Sequence, residues 1–214
     1  ESGIRVEEIA DQRGCVRDLN VTYPDGQPMV ELDGLQIAPG TRLLVQGKSG
    51  AGKSTLLRSI AGLWPYGDGD VKLPERAKIA FLPQRNYMPD GTLASLMSYP
   101  DAPDTHDDAD YVELLEAFGL ARLAPQLHNF MPWNRILSPG EQQRIAAARA
   151  ILARPDFLFV DEATSALDAQ LEEQLYKALV QRLPGAAIIS VAHRESVAAY
   201  HDRRLLIENG VATV

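Results

Sequence analysis

Residues 47–55 read GKSGAGKST and match the pattern G-x-x-x-x-G-K-[ST] through Ser54. The chemistry open to such a stretch is phosphate binding. Gly47, Gly50 and Gly52 allow successive backbone N–H groups to turn inward, and Lys48, Ser49, Ala51 and Thr55 complete the cradle. A helix opening at the end of the loop adds positive potential at the same place. Lys53 would reach the β- and γ-phosphates of a nucleotide, and Ser54 offers its hydroxyl to Mg²⁺. The context the pattern needs is present, with the apolar run TRLLVQG before it and the helical run STLLRSIAGL after it.

A second stretch, FLFVDEATSALD at 157–168, puts two carboxylates behind four apolar residues. Asp161 emerges at the carboxyl end of a buried-type strand, the edge of an open α/β sheet where ligands sit. There it can hold Mg²⁺ through water. Glu162, pointing elsewhere, can polarise an attacking water as a general base. The same Asp-Glu pair can also simply cap the next helix. A third stretch, LSPGEQQR at 137–144, is a helix start. Ser138 and Glu141 fit a capping box, and Pro139 sits at the first helical position. Gly140 is the residue this account leaves over. Glycine in a first turn costs about 0.5–1 kcal/mol relative to alanine. Nothing in the local sequence requires it, so it points to close approach of something negative.

These residues need a framework to hold them. IRVEEIA, VRDLNVTY, MVELDGLQI and TRLLVQG read as strands between turns such as PDGQP. STLLRSIAGL has helical spacing, with Leu56, Leu57, Ile60 and Leu63 on one side. LWPYGDGD reads as a break, and KIAFLPQ as a further strand. From Gly91 to Leu137 the pattern turns helical, in GTLASLMSY and ADYVELLEAFGLARLAPQL. PDFLFVDEA and AAIISVAH are buried-type strands flanking the amphipathic helix AQLEEQLYKALVQRL. RRLLIENGVATV reads as a hairpin turning at Asn209-Gly210. Strands alternating with helices predict an α/β fold with a mainly parallel sheet covered by helices on both faces.

The 214 residues suffice for one sizeable core or one domain with a subdomain. At 45% apolar, the chain has an ordinary globular composition. Twenty-one Lys and Arg face 29 Asp and Glu, and the net charge of −8 argues against nucleic-acid binding by bulk charge. The single cysteine, Cys15, excludes an internal disulfide and reads as packing filler. No apolar run of about 18 residues exists to span a bilayer. The acidic, alternating start ESGIRVEEIA is no signal peptide. A start without methionine, directly in a strand pattern, predicts a processed or excised piece of a longer polypeptide.

Taken in order, these motifs resemble the nucleotide-binding domain of an ABC transporter over essentially the whole chain. LSPGEQQR is similar to that family's signature sequence and SALD, at 165–168, to its D-loop. Gln84 in FLPQR falls where the family has its Q-loop glutamine, and His193 in SVAHR matches its switch histidine. Tyr23 lies near the position of the aromatic that stacks on adenine. Alone, Tyr23 reads as a half-buried strand residue, Gln84 as a surface amide and His193 as a strand-end histidine. The resemblance implies a P-loop NTPase core with an antiparallel β subdomain and an inserted helical signature subdomain. The core is expected at 1–90 and 154–214, and the insertion at 91–153.

The resemblance further implies ATP and Mg²⁺ as ligands, with Ser54, Gln84 and Asp161 around the ion. It implies a homodimer in which Ser138 and Gly140 of one copy touch ATP held by the other. Pro139 and Glu141 depart from the commoner Leu-Ser-Gly-Gly-Gln form, and Glu141 reads as a cap first and a direct ligand second. FLPQRNYMPDGTL followed by LSPGEQQR is similar to exporters with a membrane domain fused ahead of the ATPase, such as peroxisomal fatty-acyl and bacterial BacA-like transporters. The expected location is therefore the cytoplasmic face of a membrane, bacterial by analogy. Trp133 reads as subdomain core or as a hinge contact to the membrane domain. Two other classes stand beside this reading. One is a soluble ABC-type ATPase working on nucleic acid or ribosomes, which usually carries coiled coils, zinc modules or tandem cassettes. The other is a regulatory module that no longer hydrolyses, against which Lys53, Asp161, Glu162 and His193 together argue.

Overall fold

The computed structural model describes residues 3–214. Strands β1 (Arg5–Ile9), β2 (Gly14–Thr22), β3 (Pro28–Ile37) and β4 (Arg42–Gly47) lead into helix α1 (Lys53–Ile60). Then come β5 (Gly67–Pro74), β6 (Ile79–Leu82), the two-residue β7 (Gly91–Thr92) and helices α2 (Leu93–Ser98) and α3 (Asp108–Ala117). The two-residue β8 (Phe130–Met131), α4 (Trp133–Ile136) and α5 (Pro139–Ala153) follow. The chain ends through β9 (Phe157–Asp161), α6 (Ala169–Arg182), β10 (Ala187–Val191), α7 (Glu195–Ala198), β11 (Arg203–Glu208) and β12 (Val211–Thr213). Two units result. One holds the chain up to Phe81 with Pro155–Asp161 and Gly185–Val214, and the other holds Leu82–Arg154 and Glu162–Pro184.

The first unit is built on a ten-stranded mixed sheet ordered β1-β5-β2-β3-β12-β11-β4-β10-β9-β6. Its parallel part runs β11-β4-β10-β9, while β2 is antiparallel to both β3 and β5. Every residue of β9 and β10 is buried, as the unbroken apolar runs require of strands in a parallel sheet. The α/β class with a large mixed sheet agrees with the sequence reading. The hairpin between β11 and β12 turns at Asn209 (φ 51°) and Gly210 (φ 76°), the positive pair of a type I′ turn.

Helix α1 buries Leu56, Leu57 and Ile60 completely in the same core as Val45, Phe159 and Ile189. Each such side chain contributes about 1.5–3 kcal/mol relative to exposure. Leu63, expected on that face, is 59% exposed. The helix stops before it, because Gly62 takes φ 79°, its N–H bonds Ser59 O, and the Leu63 N–H bonds Arg58 O. That is a Schellman end. The break expected at LWPYGDGD does follow α1, but its last four residues, GDGD, open β5. Glycine and aspartate are poor strand formers. Here Gly67 (φ 131°) precedes and Gly69 (φ 115°) sits within a register shift against β2, and pairing with β2, joined by β1 from Asp70 onward, overrides local preference.

The second unit is organised around α5, against which α2, α3 and α6 pack. Ala146, Ala147, Ala148 and Ala150 are buried there. Their small side chains let the neighbouring helices approach. The expected helix through ADYVELLEAFGLARLAPQL is two pieces. Helix α3 ends at Ala117, Gly119 takes φ 70°, and Ala121–Gln126 is a 3₁₀ turn containing Pro125. Trp133 is fully buried with its Nε1 donating to Asn129 O at 3.2 Å, so it is core. Cys15, by contrast, is only half-buried on β2.

Candidate functional site

Strand β4 ends at Gly47, and the loop 48–52 turns the chain into α1. A side chain at Gly47 would put its Cβ 3.0 Å from Ile207 O and 3.3 Å from the Ala51 methyl, so the loop starts in a crowded place. Gly50 (φ 80°) and Gly52 (φ 93°) take left-handed conformations that few other residues adopt. The Ala51 N–H bonds Lys48 O at 3.0 Å, closing the turn. Gly52 is the N-cap of α1, so no side chain occupies the first-turn N–H groups there. Lys53 is buried, and its Nζ donates to Gly47 O at 2.6 Å. The ammonium is thereby held over the loop on a weak neutral acceptor that a phosphate oxygen would outcompete.

This loop forms one wall of a cleft of about 880 Å³. Gly47, Lys48, Ser49, Gly50, Ala51 and Lys53 line it on one side. Ala192 and His193, just after β10, the β11–β12 turn at Leu206–Gly210 and Met29 line it elsewhere. The exposed His193 therefore shares a cavity with the glycine-rich loop, although 140 positions separate it from Lys53 in the sequence. Lys48, Lys53 and the α1 N-terminus make the cleft attractive to anions.

Beneath the loop, Ser54 Oγ donates to Asp161 Oδ1 at 2.6 Å. The other oxygen, Oδ2, accepts from Arg58 at 3.2 Å. Asp161 is buried at the carboxyl end of β9. A hydroxyl beside a carboxylate is the hard oxygen set that Mg²⁺ prefers. Among the described residues no cluster of three or more His, Cys, Asp or Glu could hold a metal alone. An ion at Ser54 and Asp161 would therefore draw its remaining oxygens from phosphate and water, as Mg²⁺ commonly does. Arg58 is absent from the sequence reading. Its signal was available, since it lies one turn beyond Ser54 on α1 and so on the same face.

Glu162, next in the chain, takes φ 51°. A left-handed carboxylate residue costs about 1–2 kcal/mol, and such strain gathers at functional sites. Tyr23 is 45% exposed in the β2–β3 turn, where its N–H bonds Gln27 O at 2.9 Å; it is not part of the cleft wall. In the second unit, the Gln84 side chain is exposed. Ser138 caps α5 through the full capping box: its Oγ accepts from Glu141 N at 3.2 Å, and its N–H donates to Glu141 Oε1 at 2.9 Å. The second oxygen of Glu141 pairs with Arg122, so the carboxylate is engaged within the chain. Nothing in the helix start itself requires Gly140, but a distant segment supplies a structural reason for it beside the expected anion. A Cβ there would lie 3.1 Å from Ala166 O and 3.2 Å from Leu167 Cδ2. The loop at 165–168 crowds any side chain there.

The ABC transporter family profile matches residues 32–165. An uncharacterized ABC transporter ATP-binding protein of Haemophilus influenzae is 43% identical over 193 residues, 90% of this chain and 32% of that one. ABC transporter D family member 3 of Dictyostelium discoideum is 38% identical, over 87% of this chain and 26% of that one. The human lysosomal cobalamin transporter ABCD4 is 35% identical, over 95% and 36%. Among solved structures, a bacterial Atm1-family ABC exporter with ATP bound superposes with a TM-score of 0.80 at 25% identity, covering 96% of this chain and 39% of that one. The chain belongs to the ABC transporter family. It spans about a third of the length of the relatives it matches. Among the described residues no helix is long and apolar enough to cross a membrane.

Proposed function

We propose that this chain hydrolyses ATP at two composite sites, formed by two copies facing head to tail, and thereby drives transport through an attached membrane domain. The observation that carries the reading is the cleft in which Lys53, the glycine loop and His193 meet. Lys53 and the loop N–H groups hold the β- and γ-phosphates, and Tyr23 stacks on the adenine. Ser54 and Asp161 would hold Mg²⁺, with Gln84 as a further ligand. When bound, the ion neutralises charge on the phosphates. Glu162 takes a proton from the attacking water and aims it in line with the leaving group. His193 donates to the γ-phosphate oxygens. Ser138 and the Gly140 N–H reach the same phosphate from the other copy, so ATP joins the two and hydrolysis weakens the pairing. The domain works at the cytoplasmic face of a membrane, and its cargo lies by analogy among peptides, cobalamins and lipid-like molecules.

Glu162→Gln tests the reading. Turnover should fall by about a hundredfold or more, while an ATP-dependent dimer accumulates on a sizing column. Rapid turnover in that variant would remove Glu162 from the base role.

A further inference from the structure

Gln143 lies on α5, one turn beyond Gly140, and is only 4% exposed. Its amide is used at both ends. The Nε2 group donates to Gln84 O at 3.2 Å and to Ser165 Oγ at 3.1 Å. The Oε1 atom accepts from Ala166 N at 3.0 Å. One side chain thus joins the helix that begins at Ser138 to two separate loops, all within the second unit. Gly140 lies against the same Ala166–Leu167 segment, and Thr164 at its start is hydrogen-bonded to the buried Glu172 of α6.

We infer that Gln143 is a positioning residue, whose amide makes the Gln84 loop, the Ser138–Gly140 turn and the 165–168 loop move as one piece. This rests on the proposed role of those three segments in a site shared between copies. No neighbouring group can substitute for it. The bonds run to two main-chain groups and a hydroxyl, and only an amide of this length supplies two N–H donors and an acceptor together. A displacement at Gln84 is then transmitted to Ser165 and Ala166 through hydrogen bonds, and to Ser138 through α5, instead of being absorbed by loop flexibility. Gln143 touches no substrate in this scheme. It acts through the residues it holds.

The test compares Gln143→Leu, which removes all three bonds, with Gln143→Glu, which keeps an acceptor for Ala166 N and loses both donors. Both are made in a Cys15→Ser chain, whose only native cysteine is thereby removed. Nitroxides at Arg85→Cys, in the Gln84 loop, and Gln170→Cys, in the first turn of α6 directly after the 165–168 loop, are both exposed and report the distance between the two segments. The Leu variant should broaden the spin–spin distance distribution and lower kcat by about tenfold or more, with a smaller effect for Glu. Affinity for ADP, held by the phosphate loop of the same copy, should stay within about twofold. An unchanged distribution, or a lower Tm with kcat per folded molecule intact, overturns the inference. If the Gln143 chain itself fails to hydrolyse ATP, the proposed function falls, and the distribution alone decides: broadening upholds the tether and an unchanged width overturns it. If the Leu variant does not fold, the Glu variant decides by the same two readouts.

Discussion

Asp161 shows how one side chain serves two demands. Its carboxylate is buried, and each oxygen has its own donor, Ser54 on Oδ1 and Arg58 on Oδ2. A buried carboxylate stripped of a donor costs several kcal/mol, but Arg58 is nearly half exposed, so the loss is smaller. Arg58→Leu should destabilise the nucleotide-free chain by about 1–2 kcal/mol. Added Mg²⁺ with nucleotide should recover much of that loss, because cation and phosphates supply the missing charge. Paired denaturant titrations with and without Mg-ADP would measure both effects. The helical spacing of Ser54 and Arg58 is visible in the sequence. That Asp161, more than a hundred positions later, ends beside both is not.

Helix α5 gives the corresponding lesson for an element. Its start was legible in Ser138–Glu141, because a capping box and an N1 proline act within one turn. The reason for Gly140 was not, since the crowding atoms belong to the loop before α6. Alanine there would gain about 0.5–1 kcal/mol of helix preference and lose about 1–3 kcal/mol to overpacking. Gly140→Ala should therefore lower stability by about 1 kcal/mol without any nucleotide present. Gly185→Ala, where a Cβ meets nothing within 4 Å, should be close to neutral. A thermally stabilised Gly140→Ala chain would return the glycine to a purely ligand-driven role. The break after α3 and the end of α1 at Gly62 were missed for a different reason. Apolar periodicity continues through both, and a single left-handed glycine ends the helix regardless.

For the molecule as a whole, one histidine links stability to pH. His201 hydrogen-bonds Val197 O through Nδ1 at 2.8 Å and Ser190 Oγ through Nε2 at 2.9 Å. Burial holds its pKa below the ordinary 6.5; Arg42 and Arg204 add to that, while the Val197 carbonyl and Asp202 oppose it. Below pH 6.5 the unfolded chain takes up a proton that the folded chain refuses. Stability should therefore fall as pH drops through 6.5 and level off below the folded value. In thermal melts between about pH 7.5 and 5.5, His201→Gln should show a shallower slope than the parent. An equal slope would place the proton uptake elsewhere.

Legible from the residues alone were the α/β class, the glycine-rich loop between its strand and helix, the capped start of α5 and the hairpin at Asn209-Gly210. Each of these is set by side-chain period, capping or turn chemistry over a handful of neighbouring residues. Only the tertiary structure decided that GDGDVKLP is a strand, that His193 shares a cleft with Lys53, and that Asp161 is held by Ser54 and Arg58. The first outcome depends on β5 pairing between β1 and β2, and the other two on the strand order β11-β4-β10-β9, which places the ends of three strands side by side. Hydrogen-bond pairing between distant segments fixes that order, and no local window of residues contains it.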